Sequence, residues 1–564
     1  MRLTLISKTL TQDEVKRLSL TDGDVCIPDG YTHIGKDAFN CCLSLKSVVI
    51  PEGVVAIADR AFSGCIALES VVIPQSVTTI GEGAFWNCEA LTGIKIPDGY
   101  THIGKNAFSC CRSLKSVVIP EGVVAIADGA FSGCIALESV VIPQSVATIG
   151  EGAFSFCYSL MSVNIPYGVT VIAKDSFTFC ESLKSVNIPN SITTIGERAF
   201  WGCEALTDVK IPDSVTYIGK EAFVGCKSIK SVNIPVGTKS IKCGAFARNK
   251  SLVSVAIPDG VEAIEGAKAV WHDGEETLLG AFEDCTSLVS VAIPSSMRNI
   301  GERAFHSCKS LKDVNIPDGV TKIEPYAFSK CEALMSIIIP RGVKHIGAKA
   351  FECCTSLENV VISDGVEVIE AVAFCSCKAL KNIVIPKSVN SIGYSAFSYC
   401  HSLTSVVIHE NIENIDENPF SHCSSLTDIT VSKNNPHYTS VDGVLFDKKM
   451  NTLLQFPPGK KVEHYTIPKG VKVIGRGAFA GCKHLVSVII PNSVTKISDC
   501  AFESCASLMS VAVPDSVISI GTHSSQNIYG AFGDCSLLKL SVSEESRAHK
   551  YATANNIPFI LEDK

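Results

Sequence analysis

The sequence repeats itself with a period of 23 residues, and this periodicity limits the fold more than any other feature. One copy, from Phe200 to Ala222, reads FWGCEALTDVKIPDSVTYIGKEA, and the next copy begins at Phe223. Ten phenylalanines follow one another at this spacing: Phe39, Phe62, Phe85, Phe108, Phe131, Phe154, Phe177, Phe200, Phe223 and Phe246. A unit of this length buries its apolar side chains only when a similar unit stacks on each side of it. The periodicity therefore predicts a repeat solenoid, mainly β, of about 21 coils.

The residues within one copy alternate as a half-buried strand requires. Val209 and Ile211 fall on the same side of such a strand, with polar residues on the other side. Pro212 ends the strand, because proline has no N–H to donate to a neighbouring strand. The following run, Val215 to Ile218, predicts a second short extended segment on the opposite wall, and a tight turn is expected around Phe223.

Cysteine is placed with the same regularity. Nineteen of the 26 cysteines stand three residues after a repeat phenylalanine, and Asn249 takes this position in one coil. Equivalent positions in stacked coils lie about 5 Å apart with parallel side chains, which favours a ladder of reduced, buried thiols. Disulfides or zinc ligation are the alternative for the closely spaced pairs Cys41/Cys42, Cys110/Cys111, Cys353/Cys354 and Cys375/Cys377. Because no paired Cys-x-x-Cys set or convergent histidines accompany them, no metal and no cofactor is predicted.

Composition and charge exclude several classes of protein. Of the 564 residues, 46% are hydrophobic and 19% are charged, and the formal net charge is -8. No cluster of lysine and arginine marks a nucleic-acid surface or a polybasic membrane contact. No apolar run is long enough to predict a membrane span. The apolar run from Met1 to Ile6 is too short for an export signal, so together with the reduced thiols it predicts a cytoplasmic protein.

Breaks in the period predict five regions. They are an amino-terminal cap at 1–27, regular repeats at 28–431 with an insertion near 265–278, an irregular repeat with a β-hairpin at 432–470, regular repeats at 471–535 with an insertion near 521–529, and a carboxyl-terminal cap at 536–564. In the first cap, Thr11 and Glu14 have capping-box spacing and predict a short helix starting at Gln12. In the last cap, Ser543 is expected to cap a helix, and Ile557 to Leu561 are expected to close the final coil.

The recurring pattern, written here as LTDVKIPDSVTYIGKEAFVGC, resembles the BspA-like, Treponema pallidum-type leucine-rich repeats over about residues 25 to 535. The resemblance implies a right-handed leucine-rich repeat superhelix, with coils of 23 residues and a parallel sheet along the concave wall. Members of this group are often found on microbial surfaces, and some bind host matrix proteins or other cells. The resemblance therefore implies cell adhesion, and a cell-surface or secreted location as the alternative to a cytoplasmic one.

Two classes of function stay open. The sequence contains no zinc-protease motif, nucleophile elbow, phosphate-binding loop or dinucleotide fingerprint, and its 13 histidines are scattered over different phases of the repeat. The first hypothesis is a non-enzymatic protein–protein interaction scaffold that binds a protein partner on the concave sheet or on edge loops. The alternative is an enzyme or enzyme subunit whose site lies in the inserted loop or in the irregular repeat.

The candidate binding residues come from two places. The outward row of the sheet mixes amides and lysines, and the 265–278 insertion adds an aromatic and an imidazole. These candidates are Lys95, Asn164, Asn187, Lys210, Asn233 and Asn315 on the sheet, with Trp271 and His272 in the insertion. The competing interpretations are an exposed polar ladder that only keeps the sheet soluble, and an insertion that is merely tolerated.

Overall fold

The computed structural model describes residues 7–18, 23–272, 275–522 and 530–562. The chain divides into two compact units, Met1–Leu288 and Val289–Lys564, and each unit is built from short stacked coils. The fold is a mainly-β solenoid whose described residues make about 23 turns, with a period of about 23 residues and parallel sheets. The predicted fold class is confirmed. The number of turns is slightly larger than predicted because strands near both ends of the chain also join the stacks.

Each coil has three sides, which we call the first wall, the second wall and the turn side. The first wall is a strand of two to four residues, the second wall is a two-residue strand, and the turn side carries the repeat phenylalanine. In the first-wall strand Ser162–Asn164 only Val163 is buried, and the residues on either side of it are exposed. The exposed side of the first wall is called the strand face.

The strands of the first unit pair in parallel with their counterparts one coil away. Ser162–Asn164, for example, pairs residue for residue with Ser185–Asn187. The first-wall strands are Asp24–Cys26, Ser47–Val49, Ser70–Val72, Ile94–Lys95, Ser116–Val118, Ser139–Val141, Ser162–Asn164, Ser185–Asn187, Ser231–Asn233 and Ser254–Ala256. The second-wall strands are Thr9–Leu10, His33–Ile34, Ala56–Ile57, Thr79–Ile80, His102–Ile103, Ala125–Ile126, Thr148–Ile149, Val171–Ile172, Thr194–Ile195, Tyr217–Ile218, Ser240–Ile241 and Ala263–Ile264. The strand predicted around Val209 is reduced to one bridge between Ser185 and Asp208.

The second unit has the same two walls. Its first-wall strands are Ser290–Ala292, Asp313–Val314, Ser336–Ile339, Asn359–Ile362, Asn382–Ile383, Ser405–Ile408, Asp428–Val431, His464–Thr466, Ser487–Ile489, Ser510–Ala512, Lys539–Val542 and Phe559–Leu561. Its second-wall strands are Asn299–Ile300, Lys322–Ile323, His345–Ile346, Val368–Ile369, Ser391–Ile392, Asn414–Ile415, Val473–Ile474, Lys496–Ile497 and Ser519–Ile520. The irregular repeat forms a three-stranded antiparallel sheet from Tyr438–Val441, Val444–Asp447 and Thr452–Gln455, one strand more than the hairpin that its sequence predicts.

The core of each unit is a column of stacked phenylalanine rings. The ring centroid of Phe200 lies 5.5 Å from that of Phe177 and 5.2 Å from that of Phe223, with interplanar angles of 7° and 10°. The ladder cysteines run beside this column, and the Cys226 thiol donates a hydrogen bond to the Phe200 carbonyl at 3.2 Å. The same bond joins Cys203 to Phe177. Cysteine thus fills a small apolar space and also gives a second donor to a carbonyl that already accepts from its own turn, as Phe200 does from the Cys203 N–H at 3.2 Å.

The turn side is itself a hydrogen-bonded ladder. In most coils the residues two positions before and after the phenylalanine have left-handed backbone conformations, as in Arg198 (φ 53°) and Gly202 (φ 71°). This conformation aims the N–H groups of Arg198, Phe200 and Gly202 at carbonyls of the next coil, at 3.0, 2.8 and 2.8 Å. Side chains at the left-handed positions consequently project from the turn side, where they form a second surface opposite to the core.

The terminal regions agree in part with the sequence analysis. The first helix is Gln12–Val15, and the Thr11 N–H donates to the Glu14 carboxylate at 2.9 Å, as the capping-box spacing predicts. The last helix is Arg547–Ala554, and its cap is Ser546, whose hydroxyl accepts from the His549 N–H at 3.1 Å. The prediction of Ser543 as the cap is wrong because the chain makes one more turn before the helix begins.

The two insertions differ in what the structure describes. The first forms an antiparallel hairpin of strands Lys268–His272 and Glu275–Leu279, where a loop was expected. The second, around residues 523–529, lies outside the described residues.

Candidate functional site

The strand face carries all six sheet residues that the sequence analysis selects. Lys95, Asn164, Asn187, Lys210 and Asn233 are exposed in the first unit, and Asn315 is exposed in the second. Parallel pairing places Asn164 directly beside Asn187, and Lys95 beside Val118. Asn233 pairs instead with Ala256, so the predicted amides do not form one unbroken row.

Exposed aliphatic side chains occupy the same row in the coils that precede the amides. In the first unit Val118, which is 64% exposed, pairs with the exposed Val141. A shallow groove of about 490 Å³ joins this apolar stretch to the amides, and it is lined by residues 140–142, 162–164 and 185–187. The first unit therefore presents a mixed apolar and amide surface on one stretch of sheet.

The second unit has its own apolar row, which the sequence analysis does not select. The row consists of Ile338, Val361, Val384 and Val407, and Val384 is 76% exposed. Ile338 pairs directly with Val361. The sequence does indicate this row, because each of its residues lies between two buried aliphatic positions of an alternating strand.

Charged groups border that row. Lys387 and Val384 line one groove in the second unit, and the Lys387 ammonium group is 2.7 Å from the Glu410 carboxylate. The hydrogen bond from Lys387 lowers the pKa of Glu410 to about 2. Lys387 is largely solvated and Glu410 is partly exposed, so this pair sets the local charge pattern and contributes little to stability.

The hairpin of the first insertion is attached to the turn side. Leu279, at the end of its second strand, packs with Trp201, Val224 and Ala247 in a buried apolar cluster, and Phe179 packs against the cluster. The predicted residues Trp271 and His272 lie in the first strand of the hairpin, opposite Glu276 and Glu275. Their side chains lie outside the described part of the structure. Because its second strand ends in this apolar cluster, the hairpin has a packing role in addition to any binding role.

A groove also lies on the turn side. Its volume is about 760 Å³, and its lining includes Phe156, Tyr158, Phe179 and Trp201 together with the carboxylates of Asp128, Glu151, Asp175 and Glu181. None of these residues was selected from the sequence. A signal does exist, because Phe156 and Phe179 stand two residues after repeat phenylalanines, a position that Gly133, Gly202 and Gly225 occupy in other coils.

The groove contains one strong ion pair. The Arg198 guanidinium donates to both oxygens of Asp175, at 2.8 and 3.1 Å, and lies 5.9 Å from the centre of the Trp201 ring. The hydrogen bond with Asp175 raises the pKa of Arg198 above its usual value. A bidentate pair of this kind fixes both side chains, so Asp175 and Arg198 form a rigid part of the groove wall.

One carboxyl group near the groove is buried without a hydrogen bond. Glu221 is fully buried, and its nearest cation is the Lys220 ammonium group at 3.9 Å. Burial raises the pKa of this carboxyl. Its methylene group lies where a side chain at Gly244 would stand, which explains the glycine at that position.

The described residues bring together no group of three or more histidine, cysteine, aspartate or glutamate side chains that could hold a metal ion. The pairs of neighbouring cysteines are separated by the turn conformation: Cys111 is buried in the ladder, and Cys110 has a left-handed backbone and projects from the turn side. Across the described residues, no helix has the length and apolar composition needed to cross a bilayer.

Comparison with protein families gives one clear result. A family model described as the BspA type leucine-rich repeat region, in six copies, matches residues 32–161, 147–268, 279–377, 344–455 and 455–546. These matches cover well over half of the chain. A comparison with curated proteins found no match.

Solved structures of bacterial leucine-rich repeat proteins are similar to this chain. A leucine-rich repeat protein from Bacteroides ovatus is 29% identical, with a TM-score of 0.50, and the match covers 73% of this chain and 92% of that chain. A leucine-rich cell surface protein from Faecalibacterium prausnitzii is 28% identical, with a TM-score of 0.35, over 61% of this chain and 88% of that chain. A leucine-rich repeat protein from T. pallidum is 33% identical, with a TM-score of 0.26, over 33% of this chain and 78% of that chain.

Proposed function

The chain belongs to the BspA-type leucine-rich repeat family, and on that premise we propose that it is a non-enzymatic scaffold for protein–protein interaction or adhesion. Its partner is a protein that binds on the strand face. The observation that carries this proposal is the exposed aliphatic row of the sheet, which in the first unit runs directly into the paired amides of Asn164 and Asn187.

A contiguous row of exposed aliphatic side chains is typical of an interaction surface. Val118 and Val141 lie on the solvent side of their strands, where a polar residue would serve the fold equally well. Burying one such side chain in an interface contributes about 1 to 2 kcal/mol. The amides beside them supply directional donors and acceptors, and a partner that contacts both would bury apolar area and satisfy the amides together.

The arrangement of polar groups in the irregular repeat favours a scaffold over the enzyme alternative. Its buried Asn435 donates to the His409 and Ile412 carbonyls at 2.8 and 3.0 Å, and the Asp447 carboxylate accepts from the backbone N–H groups of Asn451 and Thr452. These groups are committed to holding the local backbone. They do not converge on an open space where a substrate could react.

The test measures binding of the full chain to a panel of purified extracellular matrix proteins by surface plasmon resonance. Asn164→Ala, Asn187→Ala and Asn233→Ala are combined in one variant, and Val118→Ser with Val141→Ser in a second. Asn190→Ala, at an exposed asparagine outside the strand face, is the matched control.

We expect at least one matrix protein to bind, and both strand-face variants to weaken that binding about tenfold without changing the circular dichroism spectrum or the melting temperature. The control variant should bind like the unchanged chain. Undiminished binding by both strand-face variants would place the site elsewhere, and absence of binding to every matrix protein would count against adhesion. Substrate turnover that disappears on deletion of residues 266–278, while the circular dichroism spectrum and the melting temperature stay unchanged, would support the enzyme alternative.

A further inference from the structure

The turn-side groove has features that the coil does not require. It crosses five coils, from the one that contains Lys105 to the one that contains Trp201. The repeat phenylalanines of neighbouring coils in this stretch are 5.4 to 5.7 Å apart. Four steps of about 5.5 Å make the groove about 22 Å long, enough for six or seven residues of extended chain.

One wall of the groove is a set of aromatic rings, of which Trp201 is buried and the other three are partly exposed. Phe156 is 40% exposed and stacks on Phe179, with ring centroids 5.5 Å apart, and Phe179 lies 6.1 Å from Trp201. Tyr158 is 38% exposed and meets Phe156 edge to face. The preceding coil carries Gly133 at the position of Phe156, so no side chain from that position covers the other face of the Phe156 ring.

The floor is made of small residues. Gly129, Ser132, Gly152 and Ser155 line it, and the two serine hydroxyls are 2.8 Å apart. These residues leave room directly beside the open face of Phe156. A side chain from another molecule can therefore reach the ring and the backbone of the turns together.

The rim is negatively charged. Of the two lining cations, Arg198 is already paired with Asp175, which leaves Lys105 against the carboxylates of Asp128, Glu151 and Glu181. All three carboxylates are exposed. A cation placed over the Phe156 ring would gain from the ring and from the carboxylates, whereas an anion would be repelled by the rim.

We propose that this groove binds an extended polypeptide segment that carries lysine or arginine side chains. The long aliphatic stems of those residues pack along the exposed rings, and their charged ends reach Glu151 and Glu181 on the rim. A neutral oligosaccharide could also stack on Phe156, but it would make no use of the excess negative charge. The basic peptide uses both features of the groove, and its site lies on a different side of the coils from the strand face.

The test uses the full chain and fluorescent peptides of eight residues in fluorescence anisotropy. One peptide alternates arginine with alanine, and a matched peptide has glutamate in place of arginine. A labelled neutral oligosaccharide is the third probe. The variants are Phe156→Ala and the double change Glu151→Gln with Glu181→Gln. The controls are Tyr167→Ala, at an exposed ring outside the groove, and Glu121→Gln, at an exposed carboxylate outside it.

We expect the basic peptide to bind and the acidic peptide not to bind. Phe156→Ala and the double glutamine variant should each weaken binding of the basic peptide at least fivefold, and the glutamine variant should also reduce the dependence of binding on salt. Both controls should bind like the unchanged chain. The proposal is overturned if the basic peptide does not bind, if the groove variants bind it as well as the controls do, or if the oligosaccharide binds more tightly than the basic peptide.

Discussion

The phenylalanine column offers a sharp test of the packing, because Phe200 can be removed from its middle. Its ring is fully buried and is covered on both faces by the rings of Phe177 and Phe223. Replacing a buried phenylalanine by alanine costs about 3 to 5 kcal/mol, and the cost is larger when the surroundings cannot close the cavity. Here the neighbouring rings are held by turns whose backbones are hydrogen bonded to the next coil, at 2.8 Å for the Phe200 N–H. We therefore expect Phe200→Ala to cost about 4 kcal/mol.

Hydrogen exchange measures this loss where it occurs. In a stack of coils each coil contacts mainly its neighbours, so the damage should centre on the altered coil and the coils beside it. Since about 1.4 kcal/mol corresponds to a factor of ten, 4 kcal/mol predicts roughly thousandfold faster exchange of the protected amides in these coils. Amides in coils far along the same unit should keep their protection.

The matched control for this experiment is Phe156→Ala, which removes the same ring from a partly exposed position on the turn side. It should cost about 1 kcal/mol, because the lost contacts are with the partly exposed rings of Phe179 and Tyr158. Equal effects of the two substitutions, or unchanged exchange around position 200, would show that the repeat phenylalanine does not hold the coils together.

Three further predictions follow from the turns and the thiols. Gly202→Ala should destabilise the chain by at least about 1 kcal/mol more than Gly225→Ala. Both glycines have left-handed conformations, but the added carbon would lie 2.6 Å from the Phe179 ring at position 202 and would meet nothing within 4 Å at position 225, so equal melting temperatures would contradict the observed position of that ring. Burial lowers the pKa of His422 to about 4, so between about pH 6.5 and pH 4 the unfolded chain binds a proton that the folded chain does not. The stability contributed by neutral His422 should therefore be present above this interval and lost as the pH falls through it, and in a plot of the urea midpoint against pH the His422→Gln variant should show a flatter curve over this interval. Alkylation of freshly purified, denatured and non-reduced protein should find most of the 26 cysteines free, and recovery of most of them as disulfides would refute the thiol ladder. In the folded protein the 19 ladder thiols should be shielded from alkylation, since burial keeps them protonated, as it does by raising the pKa of Cys65 to about 12.

The sequence by itself determined the repeat and the residues that enter the core. Phe200 and Cys203 recur at a constant spacing, so any stacking of coils brings equal residues together, and burial of both columns could be predicted without coordinates. The exposed row through Asn164 could be predicted in the same way, because alternation along a strand decides which side chains leave the core. These features depend only on the period and on neighbours within one coil.

The tertiary structure alone decided how side chains cover one another between coils. Glycines recur two residues before and after the repeat phenylalanines, but the left-handed turns that they allow became evident only from the backbone. The turn-side groove arises because Phe156 stacks on Phe179 in the next coil while the preceding coil carries Gly133. The hairpin of the first insertion is attached to the turn side because Leu279 packs in the apolar cluster of Trp201. Each of these contacts joins residues 22 or more positions apart, and each depends on which residue stands at the same position of the adjacent coil. A periodic pattern specifies that coils stack, but the surface of the stack is set by the places where successive copies differ.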